Sequence, residues 1–206
     1  GSETFNGSLF LLPKDCRLTE FTLEGISNIQ GDFQCIDYFY VKEFVMPFIR
    51  VAGDMTIALN SGSVNTAAEI EFPKLQEIGG TLTLGTNRNA NNITFPLLKK
   101  ILGSCSVTTY NLKNDIEFTN LESIGTDGAD AQIKFEIEAT NILCPKLKTI
   151  NGKFDIATSS FMFDMEVDKV SYPNVESISE NLSITCPYSD FGSNGILSID
   201  FSGLKS

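Results

Sequence analysis

The 206-residue chain contains no histidine and no tryptophan, and only three arginines, Arg17, Arg50 and Arg88. Without imidazole there is no Ser-His-Asp or Cys-His nucleophilic site, and no zinc site that relies on histidine. Positive charge is scarce: 15 basic against 26 acidic side chains give −11, which repels phosphate backbones, so nucleic acid is not an expected partner. No apolar run approaches the ~18 residues of a membrane-spanning helix. The longest, Leu9–Pro13 and Ile36–Val41, are far shorter. Membrane association is therefore expected only through an anchor outside the sequence. Gly1-Ser2 reads as a cloning remnant, so an upstream address stays open. The five cysteines (Cys16, Cys35, Cys105, Cys144, Cys186) form no CxxC pair and are too scattered for a disulfide miniprotein or a metal knuckle.

What is present is a repeat. The segments FPKLQEIGGTLTL (72–84), FPLLKKILGSCSV (95–107), CPKLKTINGKFDI (144–156) and YPNVESISENLSI (172–184) align without gaps. With the apolar residue two places after the proline as position zero, apolar residues recur at plus three, seven and nine. Ile26/Ile29/Phe33/Cys35 and Phe48/Val51/Met55/Ile57 fit the same template, and Leu121/Ile124 begins a copy that Gly125–Ala131 expands before Phe135 and Ile137. Glycine stands at plus five in Gly31, Gly53, Gly80, Gly103 and Gly152. A further apolar column lies five residues before zero: Ile70, Ile93, Ile116, Ile142, Val170 and Ile199. Zero positions at 26, 48, 75, 98, 121, 147, 175 and 204 are 22 to 29 residues apart, the range of a solenoid.

The pattern fixes the physics of one coil. Thr81-Leu82-Thr83-Leu84 and Ile70-Glu71-Phe72 alternate as half-buried strands, and the following proline ends the strand and sets a corner. Glycine at plus five suits the next corner, through a positive φ or a close backbone approach. A lone coil buries too few apolar side chains to fold. Stacked coils place like residues over like in parallel strands. No segment of 10–15 residues has helical spacing, so helix is expected to be nearly absent. The expected fold is an all-β, right-handed parallel β-solenoid of about seven to eight coils. Residues 1–22 are expected to form an N-terminal extension and cap, and residues 23–206 one repeat domain.

The motif F-P-x-L-x-x-I-x-G-x-L-x-L resembles the receptor L-domain type of leucine-rich repeat, found in growth-factor receptor ectodomains, fungal cell-wall proteins and secreted proteins of gut bacteria. The resemblance spans roughly residues 23–206. It implies a parallel β-solenoid and no shared catalytic set. The Cys-rich modules that flank the receptor examples are missing here, which argues against a growth-factor-receptor role.

Several side-chain groups have both a structural and a functional reading. The column Phe72, Phe95, Phe118, Tyr172, Phe201 reads as an internal ladder beneath the corner prolines, the alternative being a platform for an aromatic ligand. Cys35, Cys105 and Cys144 fall on repeat positions and are expected as buried thiols, although Cys16 and Cys35 could staple the N-terminal end. Glu69, Glu71, Asp115, Glu117 and Asp200 make one outward side acidic, and Thr94, Leu143 and Ser171 interrupt it as in a solvated face. Asp127 and Asp130, in the glycine-rich expansion, supply too few oxygens for Ca²⁺, and no metal or other cofactor is expected. Outward Thr56, Thr83, Ser106 and Ser183 make a polar strand face suited to sugars or proteins.

These features predict a non-enzymatic binding or adhesion module, secreted or on a cell envelope, with a protein or glycan partner. A polysaccharide-cleaving β-helix enzyme and a wall-structural protein are the alternatives. The first would need paired acids over a groove with nearby basic residues. The variable segments Asn60–Ala68, Gly85–Asn91, Gly125–Ala131, Ser159–Asp168 and Pro187–Gly195 are expected to line one edge. Asn87, Arg88, Asp127, Asp130 and the apolar trio Phe161, Met162 and Phe163 are the candidate contacts. IDFSGL (199–204) matches IEFPKL (70–75), so another copy opens at Leu204, and self-association is expected at the C-terminal edge.

Overall fold

The computed structural model describes residues 3–12, 20–36, 43–60, 68–87, 90–110, 115–128, 130–137, 142–158, 169–185 and 198–205. Every regular element among them is a strand, and the strands come in threes. The first set is β1 (Glu3–Phe5), β2 (Leu9–Leu11) and β3 (Glu20–Thr22); the second is β4 (Ile26–Ile29), β5 (Phe33–Ile36) and β6 (Glu43–Val45). Next come β7 (Arg50–Val51), β8 (Met55–Asn60), β9 (Ala68–Glu71), β10 (Glu77–Ile78), β11 (Leu82–Asn87) and β12 (Ala90–Thr94). They are followed by β13 (Lys100–Ile101), β14 (Cys105–Tyr110), β15 (Ile116–Glu117), β16 (Ser123–Ile124), β17 (Ala131–Ile137) and β18 (Ile142–Leu143). The last sets are β19 (Thr149–Ile150), β20 (Gly152–Thr158), β21 (Lys169–Ser171), β22 (Ser177–Ile178), β23 (Leu182–Thr185) and β24 (Ser198–Asp200).

Strands pair in parallel with the strand three places on, except that β18 and β21 are not paired. The first sheet runs β1-β4-β7-β10-β13-β16-β19-β22 and the second β2-β5-β8-β11-β14-β17-β20-β23. The third runs from β3 to β18 through β6, β9, β12 and β15, and β21 pairs with β24 beyond it. This is a parallel β-solenoid. The register keeps like over like: Met55, Leu82 and Cys105 stack at plus seven, and Ile57, Leu84 and Val107 at plus nine. Alternation along each strand sends these residues inward, where all six are buried.

At the N-terminal end, β1, β2 and β3 are the first strands of the three sheets. Phe5, Gly7, Leu9 and Leu11 occupy plus three, five, seven and nine of a copy whose zero is residue 2. Phe5 lies opposite Ile29, and Leu9 opposite Phe33. The copy is hard to see because its zero position is Ser2, not an apolar residue.

The corner between the first and second sheets explains the glycine column. Of the plus-five glycines, only Gly152 has a positive φ. Close approach decides the others. A methyl added to Gly53 would lie 2.8 Å from the carbonyl carbon and oxygen of Gly31, and one on Gly103 would lie 2.7 Å from the Gly80 carbonyl carbon. The N–H of each glycine donates to the carbonyl of the one before: Gly31 to Gly7 at 2.9 Å, Gly53 to Gly31 at 3.0 Å, Gly80 to Gly53 at 2.9 Å and Gly103 to Gly80 at 3.0 Å. No side chain fits between backbones held this close.

Candidate functional site

The inside of the solenoid accounts for the aromatic column. Phe72, Phe95 and Phe118 are fully buried. Their rings stack face to face, with centroids 5.1 Å apart at each step and interplanar angles of 2° and 12°. Tyr172 is buried as well, and its hydroxyl donates to the Ile142 carbonyl at 2.9 Å, which satisfies the one polar atom of its side chain. The column is an internal ladder and offers no face to a ligand.

The thiols behave likewise. Cys35, Cys105 and Cys144 are buried and free, so Cys35 takes no part in a staple; Cys16 and Cys186 lie outside the described residues. Burial pushes Cys35 and Cys105 up to about 12, and Cys144 well above its ordinary value of 9.0. A thiol held protonated in apolar surroundings is a poor nucleophile and a poor metal ligand. Among the described residues, no group of three or more Cys, Asp or Glu side chains is placed to hold a metal ion.

The outward side of the second sheet is the largest regular face. Its plus-eight row runs Gln34, Thr56, Thr83, Ser106, Lys134, Asp155, Ser183 in unbroken register. Beside it runs Ile36, Ala58, Gly85, Thr108, Glu136, Ala157, Thr185. The chemistry changes along the axis. Phe10 and Leu12 are exposed at the N-terminal end, hydroxyls fill the middle, and charges follow from β17. Lys134 bridges Glu136 at 2.5 Å, and Lys153 bridges Asp155 at 3.1 Å. Hydrogen bonds from Lys134 and from the Thr108 hydroxyl (3.0 Å) hold the Glu136 carboxyl below its ordinary range, against a smaller opposing effect of burial.

A second ladder borders this face, next to the glycines. Short side chains at plus six accept backbone N–H groups of the following coil: Ser8 Oγ from Asp32 and Asp32 Oδ1 from Asp54 at 2.9 Å, Asp54 Oδ1 from Thr81 at 2.7 Å, and Ser104 Oγ from Gln132 at 3.0 Å. The sequence signal was there, in the residue after each glycine: Ser8, Asp32, Asp54, Thr81 and Ser104.

Of the candidate contact residues, Asn87, Asp127 and Asp130 lie among the described residues, and Asn87 lies on a different side of the stack from the two aspartates. Asp127 and Asp130 are exposed in the expansion between β16 and β17, at the corner of the first and second sheets. Asn87 ends β11, so its segment lies on the opposite side of the second sheet. Arg88, Phe161, Met162 and Phe163 lie outside the described residues, as do 61–67 and 186–197. The Gly125–Ala131 expansion precedes a second-sheet strand, whereas Gly85–Asn87 ends one, so these two variable segments do not share one edge. On the third sheet the acidic row is broken, since Thr94 sits between Glu71 and Glu117, and Leu143, 38% exposed, follows Glu117. Comparison with family models, with curated proteins and with solved structures returns no match.

Proposed function

We propose that the protein is a non-enzymatic binding or adhesion module of a secreted or cell-envelope protein. In this reading the outward face of the second sheet receives an extended protein or glycan. The resemblance of the repeat to receptor L-domain leucine-rich repeats supports the assignment. The observation that carries it is the Thr56–Thr83–Ser106 row with Thr108 beside it. Hydroxyls at the ~4.8 Å spacing of neighbouring strands form a flat array of donors and acceptors backed by a rigid core. Such an array suits a partner that is itself linear and polar. Asp127 and Asp130 serve at most as contacts on a different corner.

The test is retention on immobilised polysaccharides and on extracellular-matrix proteins, with Thr83→Lys and Ser106→Lys as face variants. The expected result is loss of retention with unchanged thermal stability, because neither side chain is part of the core. Retention that survives both substitutions, or cleavage of a polysaccharide by the purified chain, would overturn the reading.

A further inference from the structure

Charge is distributed unevenly around the stack. From β7 onward, the outer side of the first sheet and its leading corner take positions minus one, plus one and plus two of each copy. Lys74 and Lys146 stand at minus one, Lys99, Lys148 and Lys205 at plus one, and Arg50 and Lys100 at plus two. Only Glu77, Glu122 and Glu176 oppose them there. Seven basic against three acidic residues make this side +4, while the other eight basic and 23 acidic residues make the rest of the chain −15. The lysines here also differ in what they touch. On the second sheet's face, Lys134 and Lys153 are each paired with an acid. Lys74, Lys99, Lys100 and Lys148 are exposed and take part in no ion pair among the described residues.

The plus-one row sets the pattern. Backbone bonds of 2.8 to 3.0 Å hold it in register: the N–H of Glu122 donates to the Lys99 carbonyl, that of Lys148 to Glu122, that of Glu176 to Lys148 and that of Lys205 to Glu176. Along Lys99, Glu122, Lys148, Glu176 and Lys205 the charge therefore changes sign at every coil. A closed ladder of ion pairs would leave the row inert, but among the described residues only Lys205 and Glu176 bridge. Like charges recur every second coil, ~9.6 Å apart at the ~4.8 Å spacing of neighbouring strands. A polyanion charged at every unit sets some of its charges against Glu122 and Glu176, and a nucleic-acid strand, with a phosphate every ~3.4 Å, is the extreme case. An extended glycan in which acidic and neutral sugars alternate repeats its charge at about the two-coil interval. Its carboxylates meet the lysines, and its neutral sugars offer hydroxyls to the glutamates.

We propose that this side of the first sheet binds an acidic polysaccharide carrying one carboxylate per disaccharide, laid along the stacking axis. The surface belongs to a different sheet from the hydroxyl face, so it does not depend on what that face receives. Complementary charge supplies the attraction, and the interposed glutamates supply the selection against denser polyanions.

The experiment is biolayer interferometry of the intact chain on immobilised hyaluronan, which has this alternation, at about 20 mM and about 500 mM salt. Binding is expected at low salt and should be lost at high salt. Polygalacturonate, with a carboxylate on every sugar, and single-stranded DNA should bind at least ~5-fold more weakly. Lys99→Glu combined with Lys148→Glu should weaken hyaluronan binding at least ~10-fold at an unchanged melting temperature. Glu122→Lys combined with Glu176→Lys should raise polygalacturonate to the level of hyaluronan or above it. Ser106→Ala, on the second sheet, should leave hyaluronan binding unchanged, which separates this surface from the hydroxyl face. Should the reversed lysines lower the melting temperature, Lys99→Gln combined with Lys148→Gln decides, with a loss of at least ~3-fold expected. No binding to hyaluronan at low salt, equal binding of all three polyanions, or binding indifferent to Lys99 and Lys148 would each overturn the proposal. So would a preference for vesicles of anionic phospholipid over hyaluronan.

Discussion

The two halves of the stack, on either side of the Gly125–Ala131 expansion, solve the same packing problem differently. Before it, the corner is glycine on glycine, Phe72, Phe95 and Phe118 stack in parallel while Phe33 meets Phe48 and Phe72 edge to face, and the outward middle is hydroxyl. After it, Ala131, Gly152 and Glu180 hold the corner positions. Phe135 and Phe154 meet at 87°, Phe154 and Tyr172 at 73°, and the outward face carries ion pairs. Parallel rings require the repeat to be nearly a pure translation. Rings at different repeat positions meet edge to face on both sides of the expansion. Regularity in this molecule is local, set by each neighbouring pair of coils rather than by the whole.

The sharpest way to break the comparison is to remove a ring. Phe95→Ala should cost about 3–5 kcal/mol in chemical denaturation, because it empties the middle of a three-ring stack that cannot collapse sideways. Phe201→Ala, at a half-buried terminal position, should cost clearly less. Equal losses would mean that neither burial nor parallel stacking sets the two positions apart. The corner comes next. Gly80→Ala should destabilise by about 3 kcal/mol, since its methyl would lie 2.8 Å from the Gly53 carbonyl carbon. Gly85→Ala, with nothing within 4 Å of the added methyl, should be neutral or stabilise by about 0.5 kcal/mol.

Alkaline titration compares the interior with the surface. The folded thiols of Cys35 and Cys105 titrate at about 12, against 9.0 for an unperturbed thiol, so their contribution is intact below pH 9 and is lost as pH rises towards 12. Stability should fall by about 1.4 kcal/mol per pH unit per thiol in that window. Cys35→Ala with Cys105→Ala should flatten the slope, and an unchanged slope would place its origin elsewhere. The smallest effect is acidic. The Glu136 carboxyl is lowered by Lys134 and Thr108, so its stabilisation is present above the ordinary value of 4.5 and fades as pH falls through its folded value. Solvent screening keeps this below about 0.5 kcal/mol, and Thr108→Val should remove part of it in an acid denaturation series.

The fold was legible because inward positions repeat apolar residues at fixed offsets, and stacking converts those offsets directly into columns. The first coil was not, since Phe5, Gly7, Leu9 and Leu11 keep the offsets behind a polar zero position, Ser2. The site was much less legible. Loops such as Gly85–Asn91 and Gly125–Ala131 look alike in composition, but which corner each one serves depends on its place between strands, a relation that composition does not encode. Ile199 shows a further limit. Its column is buried from Ile70 to Val170, yet Ile199 itself is more than half exposed.

The hydrogen bonds between coils also determine how the molecule would bear a load. They run parallel to the stacking axis, so tension along that axis opens them row by row from an edge rather than shearing all of them at once. Each coil that peels away gives up ~5 Å of height and releases 22–29 residues of chain, roughly 70–100 Å when extended. The solenoid is thus a spool, able to lengthen many-fold at modest force while the coils still wound keep their shape.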